Sequence, residues 1–236
     1  MKLSKVTIIL SLRSSLFIFT FLSIAFIYNQ SLNELMMWWS VICSICNFVT
    51  IILLFWLTRS LKTTYRNLIH YQKGYTQVKL IIYGIIIILT IGISGMFLAG
   101  FIVYRELPYF ATSLVHPIPI GLAILNVIIL PITTTLAEDG LYLGFGVNMI
   151  KNKWIAVIIP AFFYALQHCF IPLYWNIDYI MYRFLSFLPL TMLLGFWYQK
   201  KRNPTPIMIG HFVINLATVI QILLMSIYPE IYISFL

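Results

Sequence analysis

The sequence predicts an all-α, polytopic membrane protein, a bundle of seven or eight transmembrane helices, on three observations. Of its 236 residues, 61% are hydrophobic and only 9% charged, against about 25% charged in an ordinary soluble domain. The mean hydropathy is +0.96. The apolar residues fall into runs near the ~20 residues that carry a helix across a bilayer, separated by short polar turns. Nothing in the chain suggests a separate soluble domain, so residues 1–236 read as a single membrane domain.

The runs lie near 7–28, 35–58, 78–104, 118–150, 154–172, 182–199 and 205–228. The first follows a basic start, as a secretory signal does. It is long, however, and Tyr28, Asn29 and Gln30 stand where small residues would mark a cleavage site, so it reads as an uncleaved span. The second holds Cys43 and Cys46, which read as small packing residues within an apolar run and imply no disulfide framework. Segment 59–79 is basic and Tyr-containing, the composition of an interfacial stretch lying on anionic lipid, with His70 solvated. The third run contains Gly92-Ile93-Ser94-Gly95, similar to the G-x-S-G of rhomboid proteases. In those enzymes a His-x-x-x-Asn element precedes the serine; here it follows, and the glycines read as a helix contact. His116, beside Pro117, reads as a loop residue. The fourth run would be ~50 Å long as one helix against a ~30 Å hydrocarbon core. Pro131 is the expected kink or break. The first three runs, within 1–110, read as scaffold, and the later ones carry the polar inventory.

The formal net charge is +9, but its distribution excludes nucleic acid as the partner. With the N-terminus inside, every Lys and Arg except Arg105 and Arg183 falls on inner segments, while Glu34, Glu106, Asp178 and Glu230 fall outside. This bias follows the positive-inside rule and implies a cytoplasmic N-terminus, an external C-terminus and a lipid bilayer as the surroundings.

Glu138, His168, His211 and Asn215 interrupt apolar runs. A charged residue at a bilayer-spanning helix centre costs at least ~2.5–3.5 kcal/mol, so such groups point to shared chemistry. Asp139 adjoins Glu138, and no basic residue lies within a helical turn of either acid. Glu138 and His168 are each fifteen residues from Lys153, which would set them at one level of an antiparallel hairpin, ~20 Å from its turn. His211 and Asn215 share a helix face at i, i+4. Tyr164 lies one turn before His168, on the same face. Gly140 and Gly144 form a small-xxx-small pair suited to close packing. Cys169 follows His168 directly, and neighbours on a helix diverge by about 100°, so no thiolate–imidazole pair is expected.

Taken in order, Glu138-Asp139, Tyr164-x-x-x-His168 and His211-x-x-x-Asn215 resemble the CAAX-protease and bacteriocin-processing (CPBP, or Abi) intramembrane proteases. The family pattern reads Glu-Glu-x-x-x-Arg, Phe-x-x-x-His and His-x-x-x-Asn. The likeness spans roughly 115–225, which would be the catalytic core, and includes Arg183 and Leu193-Leu194-Gly195 ahead of the third motif. Departures are Asp139 for the second Glu, Leu143 for the Arg and Tyr164 for the Phe, while Gly144 fits the glycine that often follows. The resemblance implies a CPBP-like helical bundle and an intramembrane endopeptidase in which Glu138 and His168 activate water. His211 and Asn215 would stabilise the oxyanion, with Asp139 and Tyr164 in support. No cofactor is expected, because no H-E-x-x-H helix is present; the alternative is zinc held by Glu138, His168 and His211.

The implied substrate is a membrane-bound or secreted peptide precursor. The Ile/Phe/Tyr-rich, Ala-poor composition suggests a bacterial plasma membrane, with bacteriocin maturation or self-immunity as settings. Two other functions compete: a non-catalytic immunity or regulatory protein of the same fold, and a proton-coupled transporter using Glu138 and Asp139. The Leu143 departure leaves room for an inactive variant.

Overall fold

The computed structural model describes residues 1–107, 109 and 111–234. The long helices are α1 (Leu3–Tyr28), α3 (Trp39–Ser60), α5 (Val78–Tyr104), α6 (Ile120–Thr134), α8 (Ile177–Lys201) and α9 (Thr205–Ile227). Between them lie the short α2 (Leu32–Leu35), α4 (Tyr65–Leu68) and α7 (Ile155–His168), and α10 (Pro229–Ile233) follows α9. A π-helix, π1 (Thr135–Val147), continues α6 without interruption. No strand occurs among the described residues. The all-α polytopic bundle is as expected.

Among the described residues, six helical stretches are long and apolar enough to cross a membrane: α1, α2 through α3, α5, α6 through π1, α8 and α9. The expected crossing near 154–172 is the exception. Its helix α7 has 14 residues, ~21 Å by helical rise, so it ends short of a full traverse. Tight turns through Cys169 and Phe170 end the helix, and α8 returns antiparallel to it, with Thr191 Oγ1 donating to Ala161 O. His168 therefore sits at a helix C-terminus buried in the protein. Arg183, expected at the outer edge, is buried instead: its Nε donates to His168 O at 3.2 Å and its Nη2 to Ile171 O at 3.0 Å. The cation thereby satisfies carbonyls that a helix end leaves without partners.

The fourth run differs from expectation too. The helix does not break at Pro131; it widens four residues later, where Thr135 Oγ1 donates to Pro131 O at 2.7 Å. A proline offers no N–H to its turn, and the i→i+5 pattern takes over directly after. A π-helix has more residues per turn than an α-helix, so successive side chains diverge by less than ~100°. Glu138 and Asp139, both inside π1, can thus face the same interior.

Packing brackets this polar level with two apolar clusters. One, including Leu10, Leu54, Tyr142, Leu194 and Ile207, lies toward the start of α1. The other, including Phe17, Trp39, Ile118, Val219 and Ile222, lies toward its end. Close helix approach depends on glycine. A Cβ at Gly84 would fall 2.6 Å from Pro206 O, and one at Gly95 2.6 Å from Ser186 O, so α5 lies backbone to backbone against α8 and α9. Gly140 and Gly144 make room for side chains instead: their added Cβ atoms would meet those of Tyr65 and Ile69 at 2.8 Å.

Those last contacts change the reading of segment 59–79. It does not simply lie on the surface: Leu68 and Ile69 are buried, and Tyr65 Oη donates to Leu136 O at 2.7 Å. His70, though exposed, is also engaged, its Nδ1 lying 3.1 Å from Tyr198 Oη and 3.2 Å from Asn148 Nδ2. Cys43 and Cys46 are buried free thiols, as their apolar run implied.

Candidate active site

Glu138, His168 and His211 come from π1, α7 and α9, and their side chains converge. Glu138 Oε2 lies 3.9 Å from His168 Nε2 and 3.7 Å from His211 Nε2. That oxygen is buried and has no hydrogen-bond partner among the described residues. All three residues, together with Asn215, line one cavity of about 590 Å³. Its remaining wall is largely apolar, with Ile88, Ile93, Met96, Leu190 and Met225 among the lining residues.

Each imidazole is oriented through its other nitrogen. His168 Nδ1 lies 2.8 Å from Tyr164 O; a carbonyl only accepts, so Nδ1 carries the proton and a neutral ring turns an acceptor Nε2 toward Glu138. Phe187 lies flat against the same ring, with centroids 3.5 Å apart, and Arg183 stands over the Phe187 ring. His211 Nδ1 lies 3.2 Å from Asp139 Oδ2 and 3.2 Å from Tyr164 Oη. Tyr164 Oη donates to Asp139 Oδ1 at 3.0 Å. Asp139 therefore has two partners that sequence reading did not supply, Tyr164 and His211. Asn215 lines the cavity, and its Nδ2 donates to His211 O at 3.0 Å.

The counter-charge to Glu138 comes from Arg13, whose Nη2 lies 2.9 Å from Glu138 Oε1. Arg13 had been read as part of the inner basic edge; it is 2% exposed and stands deep in the bundle. Its Nε donates to Gln167 Oε1, its Nη1 to Thr50 Oγ1 at 2.7 Å and its Nη2 also to Asn47 Oδ1 at 2.6 Å. Asn47 in turn donates to Thr133 and Thr134, and Tyr142 Oη donates to Gln167 Oε1 at 3.1 Å. Helices read as scaffold thus supply Arg13, Asn47 and Thr50 to the network. One signal was available: an arginine in the middle of an apolar run needs a buried partner.

Zinc shared by Glu138, His168 and His211 would require all three donors ~2.0–2.2 Å from one point. That sets neighbouring donors about 3.4 Å apart in a tetrahedron, closer than the 3.7 and 3.9 Å found. Among the described residues no trio of His, Cys, Asp or Glu has metal-holding spacing, and Arg13 already brings positive charge to the same carboxylate.

Residues 120–217 match the family model described as Rce1-like, the type II CAAX prenyl endopeptidase Rce1-like family. The match spans less than half of the chain and is a likeness to the CPBP-type intramembrane proteases. The matched region takes in π1, α7 and α8 and includes Glu138, His168, His211 and Asn215. No curated protein and no solved structure matches the chain. Within the CPBP pattern, the position of the motif arginine is Leu143, whose side chain is buried in the apolar cluster near the start of α1. The cation at Glu138 is Arg13, outside the matched region.

Proposed function

We propose that the protein is an intramembrane endopeptidase that hydrolyses a membrane-associated or secreted peptide precursor with water activated by Glu138 and His168. The observation that carries this reading is Glu138 Oε2, a buried carboxylate oxygen without a hydrogen-bond partner among the described residues, flanked by two imidazole Nε2 atoms at the wall of an apolar cavity. The CPBP-family match supports the reaction class.

In the proposed reaction, water between Glu138 and His168 attacks the scissile carbonyl carbon while Glu138 accepts one of its protons. The carbonyl π-electrons move to oxygen, and the resulting oxyanion takes hydrogen bonds from Asn215 Nδ2 and from His211 Nε2 in its imidazolium form. Asp139 supports that imidazolium through Nδ1. The C–N bond then breaks, and Glu138 returns the proton to the departing amine. Fixed donors in a water-poor site are effective where charge develops. The route uses no metal. We assign the protein to a bacterial plasma membrane, N-terminus in the cytoplasm and C-terminus outside, with bacteriocin maturation or self-immunity as its setting; Lys200, Lys201 and Arg202 would then face the cytoplasm.

The test is co-reconstitution with quenched-fluorescence peptides, each bearing one bilayer-spanning apolar segment, in phosphatidylethanolamine–phosphatidylglycerol vesicles. Cleavage should place ¹⁸O from labelled water in the new carboxyl group, and Glu138→Gln should abolish it. A Glu138→Gln protein that cleaves at the wild-type rate overturns the reading. So does a wild-type protein that cleaves none of the peptides yet confers immunity equally with and without Glu138, which would make it a binding protein.

A further inference from the structure

We infer that Arg13, on the first transmembrane helix, is a positioning residue for the proposed hydrolysis. The inference rests on the peptidase reading for its kinetic consequence and on geometry alone for the pairing.

Three observations carry it. Arg13 Nη2 binds one oxygen of Glu138, Oε1, at 2.9 Å, while the other, Oε2, faces both imidazoles. The guanidinium thus divides the carboxylate into a held oxygen and a working one. Second, the guanidinium is itself over-determined: Gln167, Thr50 and Asn47 accept from its remaining edges, and Phe17 covers its face at 5.0 Å. A planar fork bound at this many points cannot rotate without losing several charge-assisted hydrogen bonds at once. Third, Gln167 immediately precedes His168, so Arg13 fixes α7 and π1 to each other through one group. The relative position of Glu138 and His168 is then set from a helix that carries no proposed catalytic residue.

Burial fits this role better than added stability does. A buried ion pair seldom adds net stability, yet removing one partner is strongly destabilising because the other is left uncompensated. The other buried arginine among the described residues needs no such account. Arg183 caps the end of α7 and meets no carboxylate among the described residues.

The experiment has two arms on the full-length protein. In the first, thermal unfolding in detergent is compared for the wild type, Arg13→Met, Glu138→Gln and the double variant. Arg13→Met should lower the midpoint by about 10 °C, and adding Glu138→Gln should recover most of that loss. Strictly additive losses overturn the pairing, whatever the protein's activity. The second arm measures cleavage of the best-cleaved peptide of the vesicle assay. Arg13→Lys should lower kcat about 10-fold and Arg13→Met about 100-fold, with KM within twofold of wild type. A folded Arg13→Met protein with wild-type kcat overturns the positioning role and leaves the peptidase reading intact, whereas cleavage by Glu138→Gln sinks the peptidase reading itself. Should Arg13→Met fail to fold, Arg13→Lys decides: unchanged kcat overturns the role, and a kcat loss at constant KM supports it.

Discussion

Tyr164 Oη donates to Asp139 Oδ1 across 3.0 Å, tying α7 to the acid beside Glu138. The same hydroxyl stands 3.2 Å from His211 Nδ1, so one phenol links all three helices that bring the candidate site together. The CPBP pattern has Phe where this chain has Tyr, and Glu where it has Asp. The shorter acid and the longer aromatic meet.

Tyr164→Phe should therefore impair this protein although it restores the commoner family residue. The ring would still stack on Tyr142, so the loss is confined to the hydroxyl. Leaving a buried carboxylate short of a donor costs about 1–3 kcal/mol. Chemical unfolding should register that cost, and the vesicle assay should show kcat lowered about 10-fold.

Asp139→Asn tests the support given to His211. An amide oxygen can still accept from Nδ1, but it carries no charge to stabilise an imidazolium. We expect kcat to fall by about 10- to 100-fold with KM nearly unchanged, measured on the same peptide. Equal losses in binding and turnover would argue that Asp139 acts on substrate rather than on His211.

Glycine contacts predict where the bundle tolerates no side chain. Gly95→Ala would drive a methyl to 2.6 Å from Ser186 O, a backbone atom that cannot swing aside. It should cost about 1–3 kcal/mol. Gly121→Ala is the internal control: nothing lies within 4 Å of its added Cβ, and alanine favours a helix by up to about 1 kcal/mol. Thermal midpoints should move in opposite directions.

Acid should loosen the docking of segment 59–79. Burial, and then the nearby Arg202, lowers the pKa of His70 below its ordinary 6.5. The folded chain thus binds this proton less readily than the unfolded one. Its contribution is whole above about pH 6.5 and is lost as pH falls through the lowered value. Hydrogen exchange of amides 65–71 should accelerate at pH 5 relative to pH 7.5 once corrected for intrinsic rates. His70→Gln should remove that pH dependence.

Much of this was legible in the chain because membrane burial leaves a strong trace. Apolar run lengths gave the helices, and isolated polar residues gave Glu138, His168, His211 and Asn215, which line one cavity. Equal spacing about Lys153 gave the shared level of Glu138 and His168. The hidden parts depend on contacts between distant segments or on winding. Arg13 was hidden because its charge also satisfied the positive-inside count. The π winding of 135–147 was hidden because the apolar pattern fixes which residues are buried more firmly than how many fill a turn. Phe187 was hidden because an aromatic in an apolar run carries no mark of the imidazole it will cover.

The pairing of Arg13 with Glu138 also bears on how the protein is made. Its two halves lie 125 positions apart in the chain, so the cation enters the bilayer long before the ribosome has produced its acid. Of its eventual hydrogen-bond partners, Asn47 and Thr50 arrive early, on the very next crossing. During synthesis that hairpin of the first two crossings must shelter a naked guanidinium, and the last helices assemble around a charge already in waiting.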